Sequence, residues 1–257
     1  MKLIYMLSAL AMMAVSSAKA DIRCDSCKKF QSTPPGINEA DYAITSASVK
    51  HNRKWGQLEF EINVKGSAGK SVSPAAGKVN GAPVDGYVFP TTLSPEDVGF
   101  SRTDGILALA LTAHPDFDDT PLWDEDGDGN YANDKIIWHP HWVVLVEDKR
   151  VPGGLSVKEF DPVDKTVKLP PTNPGMPMYM DSPGFQVVTE GKAIRVVVPD
   201  YRVRFKTDFK YDAVGAYMQL YSGEGGQHSG DGKMPMLGVY KVYSVLSGKL
   251  TLPYAVK

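Results

Sequence analysis

The sequence predicts an all-β protein built as an antiparallel β-sandwich with long loops. Runs rich in Val, Ile, Tyr and Leu recur along the chain, and several alternate apolar and polar residues with a period of two. After the first twenty residues, no stretch keeps apolar residues at helical spacing for three turns. Because helices do not alternate with the strands, antiparallel sheets are favoured over a parallel sheet.

The composition is that of an ordinary globular protein. The chain has 257 residues, of which 42% are hydrophobic and 23% are charged, so it is long enough to bury a proper core. The 28 basic residues nearly balance the 30 acidic residues. We therefore expect no nucleic-acid partner and no polybasic membrane anchor.

The first twenty residues have the pattern of an export signal. Lys2 precedes an apolar run from Leu3 to Val15, and Ala18-Lys-Ala20 is a small-x-small cleavage site. The run is short for a membrane span, and no second run approaches that length. We expect residues 1–20 to be a signal peptide and the protein to be periplasmic or secreted, without membrane insertion after cleavage.

Residues 21–40 form an N-terminal segment that contains both cysteines of the chain. Cys24 and Cys27 are separated by two residues. In an oxidising compartment the first expectation is a local disulfide. A redox role stays open as the alternative, because this spacing can lower the pKa of a thiol.

Eight strands are predicted in residues 41–257, which we expect to form a single large sandwich. The first two flank the polar turn His51-Asn-Arg-Lys54 as a hairpin. The predicted strands cover residues 43–49, 57–64, 105–113, 135–146, 185–189, 193–198, 213–221 and 236–245.

Two long connections interrupt the predicted strands. Residues 66–86 are rich in Gly, Ala, Ser and Pro, and residues 151–184 contain seven prolines, which cannot donate to central ladders. An alternative organisation is therefore two small β domains that divide near residues 162–174.

The segment from His114 to Asp134 carries eight acidic residues in 21 positions and no lysine or arginine. Crowded carboxylates repel each other unless a cation or solvent lies between them. Within this segment, Asp124-Glu-Asp126-Gly-Asp128-Gly129 resembles the first half of the EF-hand calcium loop, but Lys135 stands where that loop has its bidentate Glu. The prediction is a calcium loop grafted between strands, and the alternative is a solvated turn. The candidate calcium ligands are Asp124, Asp126, Asp128, Asn130, Asn133 and Asp134.

Three histidines are predicted to meet beside this segment. His139 and His141 share one face of an extended strand, and His114 ends the strand before the acidic segment. If residues 105–113 pair antiparallel with residues 137–146, His114 lies across from the other two. Three imidazoles can hold zinc or copper and leave one coordination position open, an arrangement also found in α-carbonic anhydrases and many cupins. The alternative is that the histidines are hydrogen-bonded to nearby aspartates.

Methionines suggest a soft-metal site. Met176, Met178 and Met180 alternate along the chain, a pattern that resembles the copper(I) motifs of extracytoplasmic proteins. Packing by flexible side chains is the alternative.

Three tryptophans flank the acidic segment and are candidates for stacking on a carbohydrate or another small molecule. They are Trp123, Trp138 and Trp142. Because Trp138 and Trp142 alternate with the histidines, the strand is predicted to have one aromatic face and one imidazole face.

These patterns favour an exported metal-dependent binding protein in which calcium orders the Asp-rich loop. One alternative is an enzyme in which the three histidines bind zinc or copper and a carboxylate acts as general base on a metal-bound water. Another is a periplasmic copper-handling protein that uses histidine and methionine ligands. No Gly-x-Ser-x-Gly or His-Glu-x-x-His motif occurs, which favours binding over catalysis.

Overall fold

The structure, a computed structural model, describes residues 33–117, 137–221 and 234–257. In these ranges the chain forms thirteen β-strands, and its helices are short 3-10 turns at Glu39–Asp41, Pro95–Val98 and Asp200–Val203. The strands are β1 (Ile44–Asn52), β2 (Gln57–Val64), β3 (Ala82–Pro90), β4 (Ile106–Ala113), β5 (His139–Glu147), β6 (Leu155–Val157), β7 (Met180–Asp181), β8 (Val187–Glu190), β9 (Ala193–Pro199), β10 (Lys210–Tyr211), β11 (Val214–Leu220), β12 (Leu237–Val245) and β13 (Tyr254–Ala255).

Every pairing between these strands is antiparallel, so the predicted all-β class and antiparallel pairing are confirmed. The predicted hairpin is also present, with Asn52 of β1 opposite Gln57 of β2. No helix in the described ranges is long and apolar enough to cross a membrane. The proposed signal peptide, Cys24 and Cys27 lie outside the described residues.

The larger sheet closes into a six-stranded barrel, which the prediction of a sandwich did not include. Its strands follow the order β4-β3-β11-β12-β6-β5, and β5 pairs back onto β4 to complete the ring. The short strand β7 pairs with β5 as well. In a closed barrel, alternate side chains of every strand face the lumen.

The smaller sheet has the order β1-β2-β9-β8, and its apolar side chains share a core with the outer surface of the barrel. At this core Phe60 of β2 meets the edge of Phe89 of β3, with ring centroids 5.2 Å apart. A second apolar cluster lines the inner side of the barrel wall. Both sheets combine strands from before and after residues 162–174.

The strand β3 was not predicted, because its first residues were assigned to the long connection 66–86. Pro83 and Pro90 lie near its two ends, and the strand is central, between β4 and β11. Gly86 allows the side chain of Met218 to pack closely against β3, since a Cβ at Gly86 would lie 2.7 Å from Cε of Met218. Because proline and glycine are atypical of a central strand, these residues indicated a loop, although β3 is buried along its whole length.

Candidate metal centre

The pairing of β4 with β5 brings the three histidines together. The register sets Ala110 opposite His141 and Thr112 opposite His139, as the predicted antiparallel pairing requires. His114 follows Thr112 by two residues and so extends from the same face of its strand. All three side chains therefore meet at one end of the barrel.

The three imidazole rings form a compact cluster. Ligating nitrogens of His114, His139 and His141 all lie within 4.8 Å of one another. The Nε2 atoms of His114 and His139 are 2.7 Å apart. His141 and His114 are buried, whereas His139 is half-buried.

Each ring is also oriented through its Nδ1 atom. Nδ1 of His139 lies 3.0 Å from the carbonyl oxygen of Ile137, and Nδ1 of His114 contacts the carbonyl oxygen of Phe117. Nδ1 of His141 lies 3.0 Å from Oγ of Ser182. Partners at one nitrogen of this kind fix the ring and direct the other nitrogen, Nε2, toward a metal ion.

The carbonyl partners determine which nitrogen holds the proton. A carbonyl oxygen only accepts, so Nδ1 of His114 and Nδ1 of His139 must donate. In a neutral imidazole, Nε2 then carries a lone pair. Two such lone pairs at 2.7 Å repel each other, unless one ring is protonated and donates to the other or a metal ion lies between them.

Ring stacking also fixes the arrangement of the histidine cluster. The ring of Phe117 stacks on His114, with centroids 4.3 Å apart and an angle of 5° between the planes. His139 is nearly perpendicular to both other histidines, at centroid distances of 4.4 Å from His114 and 4.8 Å from His141.

The histidine cluster opens onto a large cavity in the barrel. The cavity has a volume of about 1470 Å³, and His114 and His141 are among its lining residues. The rest of the wall comes mainly from aliphatic side chains of the barrel strands, including Val84, Ala110, Val143, Val214, Ala216 and Val239.

Trp138 and Trp142 lie on the other side of the barrel wall from this cavity. Trp142 is only 1% exposed and belongs to the core shared with the smaller sheet. Trp138 packs on Tyr87, with centroids 5.0 Å apart, and its Nε1 donates to the carbonyl oxygen of Gly69 at 3.0 Å. The strand thus has the separate aromatic and imidazole faces that alternation predicts, and the two tryptophans are packing residues.

The methionines lie close to the cavity. Met176 and Met180 line it together with Met218 of β11. Met178 is fully buried in the apolar cluster of the barrel wall.

The predicted calcium ligands and Trp123 lie outside the described residues. The described residues next to the interval 118–136 are Phe117 and Ile137, and the carbonyl oxygens of both contact histidines of the cluster. Asp116 is engaged elsewhere, since its carboxylate accepts from the backbone N–H groups of Ala76 at 2.8 Å and Gly77 at 2.6 Å.

Sequence reasoning missed Ser182 and its neighbour Asp181. Ser182 lies 41 positions from His141 in the chain, and no motif connects the two. Asp181 is fully buried opposite Trp142, and burial raises the pKa of its carboxyl group, although the Thr172 hydroxyl donates to it at 2.6 Å. Only the pairing of β7 with β5 identifies these residues as neighbours of the site.

The fold and the site together define an antiparallel β-barrel protein with a three-histidine cluster at one end of an apolar lumen. No protein-family model matches the chain, and neither a curated protein nor a solved structure matches it.

Proposed function

We propose that this chain is a metal-dependent binding protein in which Nε2 atoms of His114, His139 and His141 hold a zinc(II) or copper(II) ion. The observation that supports the proposal is the convergence of these three side chains within 4.8 Å, each with Nδ1 held by another partner. A metal ion among the Nε2 atoms would replace the contact between Nε2 of His114 and Nε2 of His139.

The spacing of the cluster suits a tetrahedral ion. Nitrogen ligands about 2.05 Å from zinc are roughly 3.3 Å apart in a tetrahedron. The pair of His114 and His139, at 2.7 Å, has to widen to reach this value, and the three nitrogens, which all lie within 4.8 Å of one another, have to converge on it. Three imidazoles leave a fourth position for water or a bound molecule, and imidazole suits both zinc and copper.

A zinc- or copper-dependent enzyme is the alternative to this proposal. The alternative enzyme needs a carboxylate beside the metal to act as general base. Within residues 33–117, 137–221 and 234–257, no Asp or Glu joins the histidine cluster. The calcium role of residues 124–134 and the export of the protein remain part of the proposal.

The direct test is a metal titration of untagged protein that has been stripped with a chelator. We expect one zinc or copper ion per chain, and each of His114→Ala, His139→Ala and His141→Ala should weaken binding by a similar factor. That factor should exceed the roughly 10- to 100-fold effect of losing an outer hydrogen bond. Cobalt(II) should give the visible absorption of a four-coordinate site.

The matched control is His51→Ala. His51 lies outside the cluster and pairs with Asp200, with Nε2 2.8 Å from Oδ2. This variant should bind metal as the parent does. Parent-like affinity in a variant that lacks all three cluster histidines would disprove the site.

Copper handling is a second candidate, favoured by the thioethers of Met176 and Met180 in the cavity that His114 and His141 also line. Thioethers prefer copper(I). In this case Met176→Leu with Met180→Leu should weaken copper(I) binding and leave zinc binding unchanged. If copper(I) affinity is unchanged in that variant, the methionines serve packing alone.

A further inference from the structure

The barrel lumen is open because its wall carries small side chains. Ala110 on β4 and Ala216 on β11 line the cavity at positions where larger residues would fill the interior. The cavity of about 1470 Å³ exceeds the roughly 300–1,000 Å³ of pockets that take drug-sized ligands. Apolar cavities of this kind bind apolar molecules in preference to water.

The lining of the cavity extends over several residues of one barrel strand. On β5 its lining includes His141, Val143, Leu145 and Glu147. At about 3.4 Å per residue, the interval from His141 to Glu147 is roughly 20 Å. A space of this length, walled by aliphatic groups, fits a long acyl chain better than a compact ring compound.

Polar groups are confined to the ends of this space. Among the cations at the end away from the histidines, Arg150 is already paired through its guanidinium. Nη2 of Arg150 donates to Asp148 at 2.7 Å and to Glu159 at 3.2 Å, and Nε donates to Asp148 at 3.0 Å. Ser156 adds a hydroxyl bond to Asp148 at 2.8 Å.

We propose that the lumen binds a long-chain carboxylate whose head group takes the open coordination position of the metal ion held by His114, His139 and His141. This inference rests on the proposed metal site. The acyl chain would lie among Val143, Ala216 and their neighbours, and the anionic head would complement the charge of the ion. A carboxylate oxygen is an established ligand of zinc.

The experiment measures binding of cis-parinaric acid by fluorescence, with hexadecanoate as competitor, to the zinc-loaded and the stripped protein. Hexadecanol, which has the same chain without the carboxylate, is the matched control ligand. We expect hexadecanoate to bind the zinc-loaded protein at least about tenfold more tightly than the stripped protein. The affinity for hexadecanol should be the same in the zinc-loaded and the stripped protein.

Two variants test the position of the chain. Ala216→Phe fills the lumen, and Thr251→Trp narrows the cavity at an exposed residue that lines it, without changing the buried wall. Both should reduce binding of the fatty acid while zinc affinity stays at the parental value. Val188→Phe, at a residue that is 46% exposed on the smaller sheet, is the control and should bind as the parent does.

The outcomes separate the two proposals. If zinc binds but hexadecanoate does not compete, the ligand assignment is wrong and the metal site stands. If hexadecanoate binds equally with and without zinc, the head group does not reach the metal, and the exposed Lys149 and Lys249 of the cavity lining are then its partners. If zinc itself does not bind, both the metal site and the position of the head group are wrong.

Discussion

Nε2 of His114 and Nε2 of His139 face each other at 2.7 Å, although the two residues lie 25 positions apart and on different sides of the Asp-rich segment. The contact follows from the register of β4 and β5 and from the carbonyl oxygens that orient both rings through Nδ1. The carbonyl oxygens of Phe117, within the segment, and of Ile137, just after it, thus orient two of the three candidate ligands. Any change in the segment that moves these carbonyls also moves the rings.

Ser182→Ala should weaken zinc binding without removing it. The hydroxyl lies 3.0 Å from Nδ1 of His141 and orients that ring, and loss of such a partner typically costs about 10- to 100-fold in affinity. Isothermal titration of stripped protein measures the effect. Thr172→Val is the control, because the hydroxyl of Thr172 bonds to Asp181 instead. Equal zinc affinity in Ser182→Ala and the parent would show that the serine does not support the site.

Asp85→Asn should change the dependence of stability on pH. Burial raises the pKa of the Asp85 carboxyl group to about 6, despite hydrogen bonds from the backbone N–H and the hydroxyl of Ser73. The folded protein therefore holds this proton more tightly than the unfolded chain, in which the pKa is about 3.9. The contribution of this group to the free energy of unfolding falls as pH rises from about 4 to about 6, by up to about 3 kcal/mol.

An Asn at position 85 carries no charge. Its Oδ1 can accept from the backbone N–H of Ser73, and its Nδ2 can donate to the Ser73 hydroxyl, which then accepts. We expect the variant to lose this part of the pH profile and to be more stable than the parent at neutral pH. Urea unfolding across the pH range measures both effects. A variant that is less stable than the parent at neutral pH would contradict the cost that we assign to the buried charge.

Trp142→Ala should lower the free energy of unfolding by about 3–5 kcal/mol, the usual cost of truncating a buried Trp. The side chain is 1% exposed and packs between the barrel and the smaller sheet. Chemical denaturation measures the change. A loss below about 1 kcal/mol would argue against this core role.

Calcium should stabilise the protein if residues 124–134 form the predicted loop. At about one hundred times the Kd, a ligand that binds only the folded state adds roughly 2.7 kcal/mol. The Tm should therefore rise with calcium and fall with a chelator, and Asp126→Asn with Asp128→Asn should remove the calcium response. The His141→Ala variant should retain the calcium response, because carboxylate ligands are chemically separate from imidazole ligands. A parental Tm that is unchanged across chelator and excess calcium would disprove the loop.

Much of the histidine site was predictable from local pattern. Alternation along 139–142 separates imidazole from indole side chains, because successive residues of a strand face opposite sides. The pairing of residues 105–113 with 137–146 was predictable because strands adjacent in the chain commonly pair as neighbours. These two local rules are sufficient to bring His114 to His139 and His141.

Other features depended on tertiary structure. Nothing in the local pattern relates Ser182 to His141, since their contact arises from the pairing of the two-residue strand β7 with β5. Strand β3 was not predicted because Pro83, Gly86 and the buried Asp85 are atypical of a central strand. Each of them is stabilised by a residue elsewhere in the chain: Pro83 pairs with Gln219, Gly86 packs against Met218, and Asp85 accepts from Ser73.

The sequence by itself determined the all-β class, the hairpins and the histidine face, because a period of two and short-range pairing are properties of neighbouring residues. Only the tertiary structure decided that the larger sheet closes through β5 and β4, and that its interior is an open apolar lumen that ends at the histidines. Closure depends on the combined tilt and register of six strands. The width of the lumen depends on which small residues of distant strands meet across it, and neither property is contained in any single stretch of the chain.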